Sequence, residues 1–284
     1  MDPAFARRRL RDRLRRLREA AGFTQRQVAE AMEWSPSKVI RMESGNVGVS
    51  VTDLRVLLPH YGVEDADEVN QLISMARTAK SKPWWERYKS SVPAPAFFTY
   101  LAYEGNASVI RLFSPFRIPG LLQTEEYMRE IFHSSGASEE AVDSRVELRL
   151  ERQERLLQPS GPNLNFILDE SVLRRPVRTK GTMRRQLTHL LESFEQPNIT
   201  IRVMKYSDGI YPKCFAPYVI LEFENTEEDL VLYLEENRTV KEGASDGPDE
   251  YSPADYLEVF FSLEQIASTD RTCDLLQEAL RDFE

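Results

Sequence analysis

The stretch TQRQVAEAMEWSPSKVIRMESG, residues 24–45, decides the fold of the N-terminal part of the chain. It contains two short helical patterns with a turn between them. Thr24 and Gln27 stand at the two positions of a capping box, which starts the first helix. The second pattern begins with Ser35 followed by proline and stops before Gly45, residue types that start and end helices. The stretch therefore predicts a helix-turn-helix.

The second of these helices has an apolar inward side and a polar outward side. Val39 and Met42 face inward at helical spacing. A helix of this length fits the major groove of B-DNA, which is about 12 Å wide. Either Arg41 or Lys38 is expected to contact guanine. The side chains predicted to point outward and to read or approach base edges are Ser35, Ser37, Lys38 and Arg41.

The start of the first helix suits a phosphate group. Free backbone N–H groups and the positive end of the helix dipole lie there, and both attract anions. We therefore expect Thr24, Gln25 and Arg26 to hold the phosphate backbone of DNA.

The same stretch resembles the helix-turn-helix of phage-repressor and Cro-type regulators, the xenobiotic-response-element family. The family usually has glycine in the turn, where this chain has Glu33; glycine adopts a positive φ without strain, so we expect an altered or mildly strained turn. The resemblance also implies an ion pair between Arg18 and Glu43 that ties the first helix of the chain to the recognition helix. The matching residues are Thr24-Gln25, Val28-Ala29, Ser35, Val39, Arg41, Glu43 and Gly45.

Charge is unevenly distributed along the 284 residues, whose net charge is −9. Residues 1–62 carry 12 Lys and Arg against 7 Asp and Glu, whereas the rest carries 25 against 39. A predicted helix over 7–21 alone contains eight arginines. A basic head on an acidic body is typical of a DNA-binding domain followed by a domain that avoids DNA.

The composition also indicates where in the cell the protein is located. No run of about 18 apolar residues predicts a membrane span, and the Arg-rich N-terminus does not resemble a signal segment. Two cysteines, Cys214 and Cys273, do not make a disulfide framework. We therefore expect a cytoplasmic protein that is nucleoid-associated when bound to DNA.

The pattern of elements predicts two domains of different class. Residues 1–80 are expected to form an all-α, five-helix, repressor-type DNA-binding domain. Residues 81–96 form a linker or joint, in which Trp84 and Trp85 are expected to pack against the second domain or at the joint. Residues 97–284 are predicted to form an α+β domain with a mixed sheet and helices, including a helix over 121–133. Strands are predicted at 108–113, 163–168, 199–204, 218–223 and 230–234.

The second domain resembles the C-terminal domain of streptomycete developmental regulators of the WhiJ type. The segments that carry the resemblance are SPFRIPGLLQTEEYMR, RVELRLERQERLL, FILDESVLRRPV, MRRQLTHLLE and PNITIRVM. This likeness implies a small partner protein encoded nearby and a role in development or secondary metabolism.

Patterns of catalytic chemistry are missing from the sequence. It contains no Cys-x-x-Cys or other metal-ligand spacing, no Walker loop or Rossmann glycine pattern, and no nucleophile elbow. We expect neither a cofactor nor an enzymatic activity. Asp169, Glu170, Arg174 and Arg175 follow a predicted strand and form either a ligand or partner site or an internal ion-pair network.

The leading hypothesis is a sequence-specific transcription regulator. It would bind a palindromic operator as a repressor-like homodimer and be controlled through its C-terminal domain. Two alternatives remain open: an antitoxin-like interaction module that acts through a small partner protein, and a small-molecule sensor.

Overall fold

The computed structural model describes residues 1–45, 47–92, 95–213, 215–224, 230–235, 239–242, 251–267 and 269–283. The chain divides into two units, Met1–Glu86 and Arg87–Glu284, each with a hydrophobic core of its own. Cys214 and two residues of the predicted linker, Pro93 and Ala94, lie outside the described ranges.

The first unit has five α-helices in its described residues, which confirms the predicted all-α fold. The first helix begins at Pro3, earlier than predicted, because Asp2 caps it. A carboxylate oxygen of Asp2 accepts the backbone N–H of Ala4 at 2.8 Å. The helices are α1 (Pro3–Ala20), α2 (Gln25–Ala31), α3 (Pro36–Glu43), α4 (Val51–His60) and α5 (Ala66–Thr78).

The five helices contribute to a shared hydrophobic core. Burying an aliphatic side chain contributes about 1.5–3 kcal/mol. The short helices α2 and α3 are therefore held by tertiary packing, since helices of such length are marginal in water. One core residue from each helix, none more than 4% exposed, illustrates this: Leu14, Val28, Val39, Leu54 and Leu72.

Trp85, in the predicted linker, belongs to the first unit. It is buried, and its indole nitrogen donates to Oδ2 of Asp2 at 3.2 Å. This hydrogen bond ties the predicted linker to the start of α1. A tryptophan N–H that is buried needs such an acceptor.

The second unit contains a mixed six-stranded sheet in its described residues, in the order β3-β2-β1-β4-β5-β6. The first three strands are parallel and joined by crossovers that contain helices, and the others are antiparallel, which confirms the predicted class. The strands are β1 (Val109–Ser114), β2 (Asn163–Asp169), β3 (Ile199–Met204), β4 (Tyr218–Glu222), β5 (Val231–Leu234) and β6 (Thr239–Glu242). The helices are α6 (Pro95–Glu104), α7 (Glu125–Ser134), α8 (Glu139–Leu156), α9 (Ser171–Arg174), α10 (Lys180–Phe194), α11 (Pro253–Ile266) and α12 (Thr269–Arg281).

The central strand β1 is buried on both faces of the sheet. Successive residues of a strand point to opposite faces. Phe113 packs in a core with Ile167 of β2 and with Phe260 of α11. Leu112, which precedes Phe113, faces the other way and is also buried. The face that carries Leu112 is thus the one opposite α11.

The predicted helix over 121–133 is shorter in the structure. A 3-10 turn occupies Gly120–Leu122, and α7 begins only at Glu125. The boundary lies here because Thr124 is the N-cap, its hydroxyl accepting the backbone N–H of Tyr127 at 3.4 Å.

Strand β6 was not predicted from the sequence. It pairs antiparallel with β5, with Thr239 opposite Leu234. Its four residues, TVKE, carry too short a pattern to indicate a strand, so the pairing depends on the neighbouring β5.

The helices in the described ranges are too short or too polar to cross a membrane. Those same ranges contain no group of three or more His, Cys, Asp or Glu side chains placed to hold a metal ion.

Candidate nucleic-acid interface

The helix-turn-helix begins at a complete capping box. The hydroxyl of Thr24 accepts the backbone N–H of Gln27 at 3.3 Å, and the backbone N–H of Thr24 donates to the side-chain oxygen of Gln27 at 2.9 Å. The predicted start of α2 is therefore confirmed.

Arg26 presents a guanidinium to solvent in the first turn of α2. Its side chain is 83% exposed, and Nε lies 2.9 Å from Oε1 of Glu30 one turn later. Exposed pairs of this kind contribute little to stability. The Arg26 side chain can therefore exchange Glu30 for a phosphate at small cost.

The turn between α2 and α3 is closed by a Schellman motif with glutamate where glycine is preferred. The backbone N–H of Trp34 donates to the carbonyl of Ala29 at 2.8 Å, and that of Glu33 to Glu30 at 3.3 Å. Glu33 has φ +57°, in the left-handed region. The strain expected from the missing glycine is located at this residue, because a Cβ disfavours that conformation.

Three of the four residues predicted to read bases lie exposed along α3. They are Ser35, Ser37 and Arg41. Ser35 occupies the N-cap position but makes no side-chain capping hydrogen bond, so its hydroxyl is not used there. Nε of Arg41 donates to the backbone carbonyl of Ser37 at 3.2 Å, which lays the guanidinium along the helix. These side chains form a polar surface able to donate to base edges.

Ile40 is a residue of this surface that sequence reasoning missed. It is 49% exposed, three positions after Ser37, whereas Val39 and Met42 are buried in the core. Its position outside the inward apolar stripe was the available signal. An apolar side chain beside polar ones suits contact with the methyl group of thymine.

Lys38 differs from the expectation that it points outward. Its ammonium lies 2.7 Å from Oδ1 of Asp53 in α4 and 3.5 Å from the centre of the Trp34 ring. Burial acts to raise the pKa of Asp53, but hydrogen bonds from Lys38 and Ser50 outweigh it, and the net pKa is lowered. Lys38 is therefore engaged within the protein, because α4 brings a carboxylate close to α3.

Glu43 joins the first three helices. It pairs with Arg18 through two bonds, Nε–Oε1 at 2.6 Å and Nη2–Oε2 at 2.9 Å, with both side chains at most 10% exposed. Gln25 donates to Oε2 of Glu43 at 2.7 Å, and Arg18 also donates to the carbonyl of Phe23 at 2.8 Å. The side chain of Gln25, predicted to contact DNA, is thus directed to the recognition helix.

Two of the four residues considered for a ligand or partner site in the second unit, Glu170 and Arg174, lie in an ion-pair network. Arg174 pairs with Glu170, with Glu278 at 2.7 Å and with Asp282. Asp169 accepts the hydroxyl of Tyr211 at 2.8 Å. The fourth residue, Arg175, is exposed. This geometry favours the internal network, which the sequence also allowed.

Two family models match the chain. One, described as a helix-turn-helix domain, matches residues 9–72. The other, described as a domain of unknown function (DUF5753), matches residues 97–278, which is more than half of the chain. No curated protein and no solved structure matches the chain. The helix-turn-helix match suggests a DNA-binding regulator.

Proposed function

The chain belongs to the DUF5753 family and carries a helix-turn-helix domain before that domain, and we propose that it is a sequence-specific, DNA-binding transcription regulator. The observation that carries the proposal is the surface of α3, where Ser35, Ser37, Ile40 and Arg41 are exposed while the inward stripe is buried in the core. A short helix presented in this way is the usual means of reading the major groove.

Each residue of the interface has a distinct task in this proposal. Arg41 contacts guanine, Ser35 and Ser37 donate to less selective acceptors, and Ile40 packs on a thymine methyl. Arg26 contacts phosphate from outside the groove.

Two residues that were predicted to contact DNA have different roles in this proposal, because their side chains are bound within the protein. Gln25 is assigned to positioning, since its amide is bound to Glu43. Lys38 reaches DNA only by leaving Asp53. Thr24, as N-cap, fixes the start of the helix that carries Arg26.

The finer parts of the proposal are supported by the resemblances. A palindromic operator and a homodimer follow from the repressor-like helix-turn-helix, because one such domain makes too few contacts for useful affinity. The WhiJ-type resemblance supports a non-enzymatic regulator of development or secondary metabolism, with the second unit as its regulatory part.

The experiment is DNA capture from genomic fragments with the purified full-length protein, followed by gel shifts on the recovered site. We expect one enriched sequence with two-fold symmetry. Uniform recovery of all fragments, at all salt concentrations, would overturn the proposal.

A matched pair of variants then tests the interface. Arg41→Ala should weaken binding to the specific site by about 1–3 kcal/mol, roughly 5- to 150-fold in affinity, while leaving binding to non-specific DNA nearly unchanged. Arg26→Ala should weaken all DNA alike and reduce the salt slope by about one unit. Equal loss on specific and non-specific DNA for Arg41→Ala would remove α3 from base recognition.

A further inference from the structure

The second unit contains a cavity of about 600 Å³. This volume lies within the range of about 300–1,000 Å³ that is usual for small-molecule sites. Leu112 of β1 and Tyr233 of β5 line it, so it lies on the sheet face opposite α11. Its residues are distinct from Asp169 and Arg174, which the sequence had singled out.

One face of α8 forms a basic wall of the cavity. Arg145, Leu148, Arg149 and Arg152 all line it. Their spacing of i, i+3, i+4 and i+7 places them on one side of a helix. A fourth arginine, Arg117, approaches from the loop after β1. Arg152 is buried, Arg145 and Arg149 are half-buried, and Arg117 is exposed. Charge that is withdrawn from water is costly unless paired, so the three arginines of α8 favour anionic partners.

Two of the four arginines are neutralised by carboxylates of the protein. Arg152 pairs with the buried Glu104 through Nε–Oε2 at 2.6 Å and Nη2–Oε1 at 2.5 Å. Burial acts to lower the pKa of Arg152, but the charge of Glu104 outweighs this and raises it. Arg117 pairs with Glu235, Nη2–Oε2 at 2.5 Å.

The other two arginines have neutral partners. Arg149 donates to the amide oxygen of Gln123, and Arg145 donates to the carbonyl of Ser91 at 3.3 Å. Within the described part of the chain, neither has an ion-pair partner. Burial, then the charges of Arg152 and Arg117, lower the pKa of Arg149 to about 9. The wall therefore keeps an excess of positive charge next to the cavity.

The loop that faces this wall is fixed by the half-buried Gln153 and the buried Gln186. The amide nitrogen of Gln153 donates to the carbonyls of Gly120 at 3.0 Å and Gln123 at 2.9 Å. Gln186 accepts the backbone N–H of Thr124 at 2.8 Å. A Cβ on Gly120 would lie 3.2 Å from Nε of Arg149, so the glycine leaves room for that guanidinium. The cavity is therefore held open by the fold before any ligand arrives.

The remaining wall is apolar and aromatic. Phe132 lies against the basic wall, with the guanidinium of Arg149 4.7 Å from its ring centre. Stacking of this kind orients the planar fork of the arginine. Other apolar lining side chains outside α8 are Phe97, Leu112, Phe116 and Tyr233.

We propose that this cavity binds a small organic anion with an apolar or aromatic body, whose carboxylate, sulfonate or phosphate group pairs with Arg149 and Arg145. Guanidinium groups bind such anions through two parallel hydrogen bonds. The apolar wall takes the body of the ligand, and the low dielectric of the site strengthens the charge pairing. The site concerns the second unit and stands independently of DNA binding.

The test uses a pair of probes with the same rings and different charge. 8-Anilinonaphthalene-1-sulfonate carries a sulfonate, and N-phenyl-1-naphthylamine lacks it. We expect the full-length protein to bind the sulfonate with a saturable fluorescence increase at one site, and at least tenfold more tightly than the neutral probe. Equal affinity for the two probes would overturn the proposal.

Arg149→Met is the first variant, because methionine replaces the charge with an apolar chain. This change should lower the affinity for the sulfonate probe at least tenfold and change the affinity for the neutral probe less than twofold. Arg155→Met is the matched control: Arg155 lies on the same helix, is exposed, pairs with Glu151 and does not line the cavity. Unchanged sulfonate affinity in Arg149→Met would overturn the proposal.

Two further measurements separate ligand binding from a structural role. If Arg149 served only to stabilise the fold, its replacement would lower the melting temperature of the protein. We expect Arg149→Met instead to melt at or above the temperature of the native protein, because the change leaves no carboxylate unpaired. If that variant does not fold, Gln123→Glu tests the same idea by placing a carboxylate against Arg149. The new carboxylate should compete with the sulfonate for Arg149 and lower the affinity for the sulfonate probe at least tenfold. A folded Gln123→Glu variant that binds this probe with native affinity would overturn the proposal.

Discussion

Lys38 of α3 and Asp53 of α4 form an ion pair across the edge of the recognition helix, with Nζ 2.7 Å from Oδ1. Asp53 also accepts the hydroxyl of Ser50 at 2.6 Å as part of the capping box of α4. The protein's own carboxylate therefore balances the charge of Lys38, and Arg41 supplies the exposed positive charge of α3.

We expect Asp53→Asn to tighten DNA binding and to steepen its salt dependence by about one unit. Asparagine keeps an acceptor for Ser50 but releases the charge of Lys38. Gel shifts at several salt concentrations measure both effects. The control is the same change in a Lys38→Met background, which has no ammonium to release. A gain of equal size in that background would show that the pair does not restrain Lys38.

Glu43→Ala should destabilise the first unit by about 3–5 kcal/mol, because it leaves the guanidinium of Arg18 buried without its partner. Urea denaturation of the full-length protein measures the loss. Glu30→Ala is the control, since Glu30 pairs with the exposed Arg26 one turn earlier on α2, and its midpoint should match the native one. An unchanged midpoint for Glu43→Ala would mean that the pair is not structural.

Glu33→Gly should stabilise the protein by about 1 kcal/mol, because a Cβ at φ +57° is strained and glycine is not. The greater freedom of glycine in the unfolded chain offsets part of the gain. Thermal melting measures it. Glu33→Ala removes the same carboxylate and keeps the Cβ, so it should show no gain. Equal gains for both variants would assign the effect to charge.

Tyr61→Phe should reduce the sensitivity of the protein to alkali. Burial and the negative charge of Glu43 raise the pKa of Tyr61 to about 12. The unfolded chain loses this proton near pH 10 and the folded one later, so the phenol makes stability fall as pH rises from about 10 to 12. Urea midpoints across this window should fall less steeply in the variant. Parallel curves for the two proteins would contradict the assignment.

Glu104→Gln should destabilise the second unit by about 3–5 kcal/mol, since Glu104 is 1% exposed and is the carboxylate partner of Arg152. Thermal and urea unfolding both report the loss. Glu125→Gln is the matched change in an exposed pair with Arg129 on α7 and should leave the melting temperature as it is. If Glu104→Gln melts at the same temperature as the native protein, the ion pair between Glu104 and Arg152 has no structural role.

Local features of the helix-turn-helix could be predicted because they depend on neighbours in the sequence. The capping box of Thr24 and Gln27 needs only three residues of spacing, and the inward side of α3 follows from the helical period. The positive φ at Glu33 was expected from the resemblance, since the family usually has glycine at that position. The boundary at Thr124 was missed because Leu121 and Leu122 continue the apolar pattern without being helical.

Contacts between distant residues were decided only by the tertiary structure. The sequence by itself determined two short helices, the second with a polar outward side, and an α+β domain later in the chain, since periodicity and capping signals act over a few residues. It did not determine that Lys38 meets Asp53 or that Gln25 meets Glu43. Nor did it show that Arg149 of α8 lines a cavity and has no carboxylate partner among the described residues. Such relations arise from how helices pack against a core and a sheet, which brings together side chains that no local pattern connects.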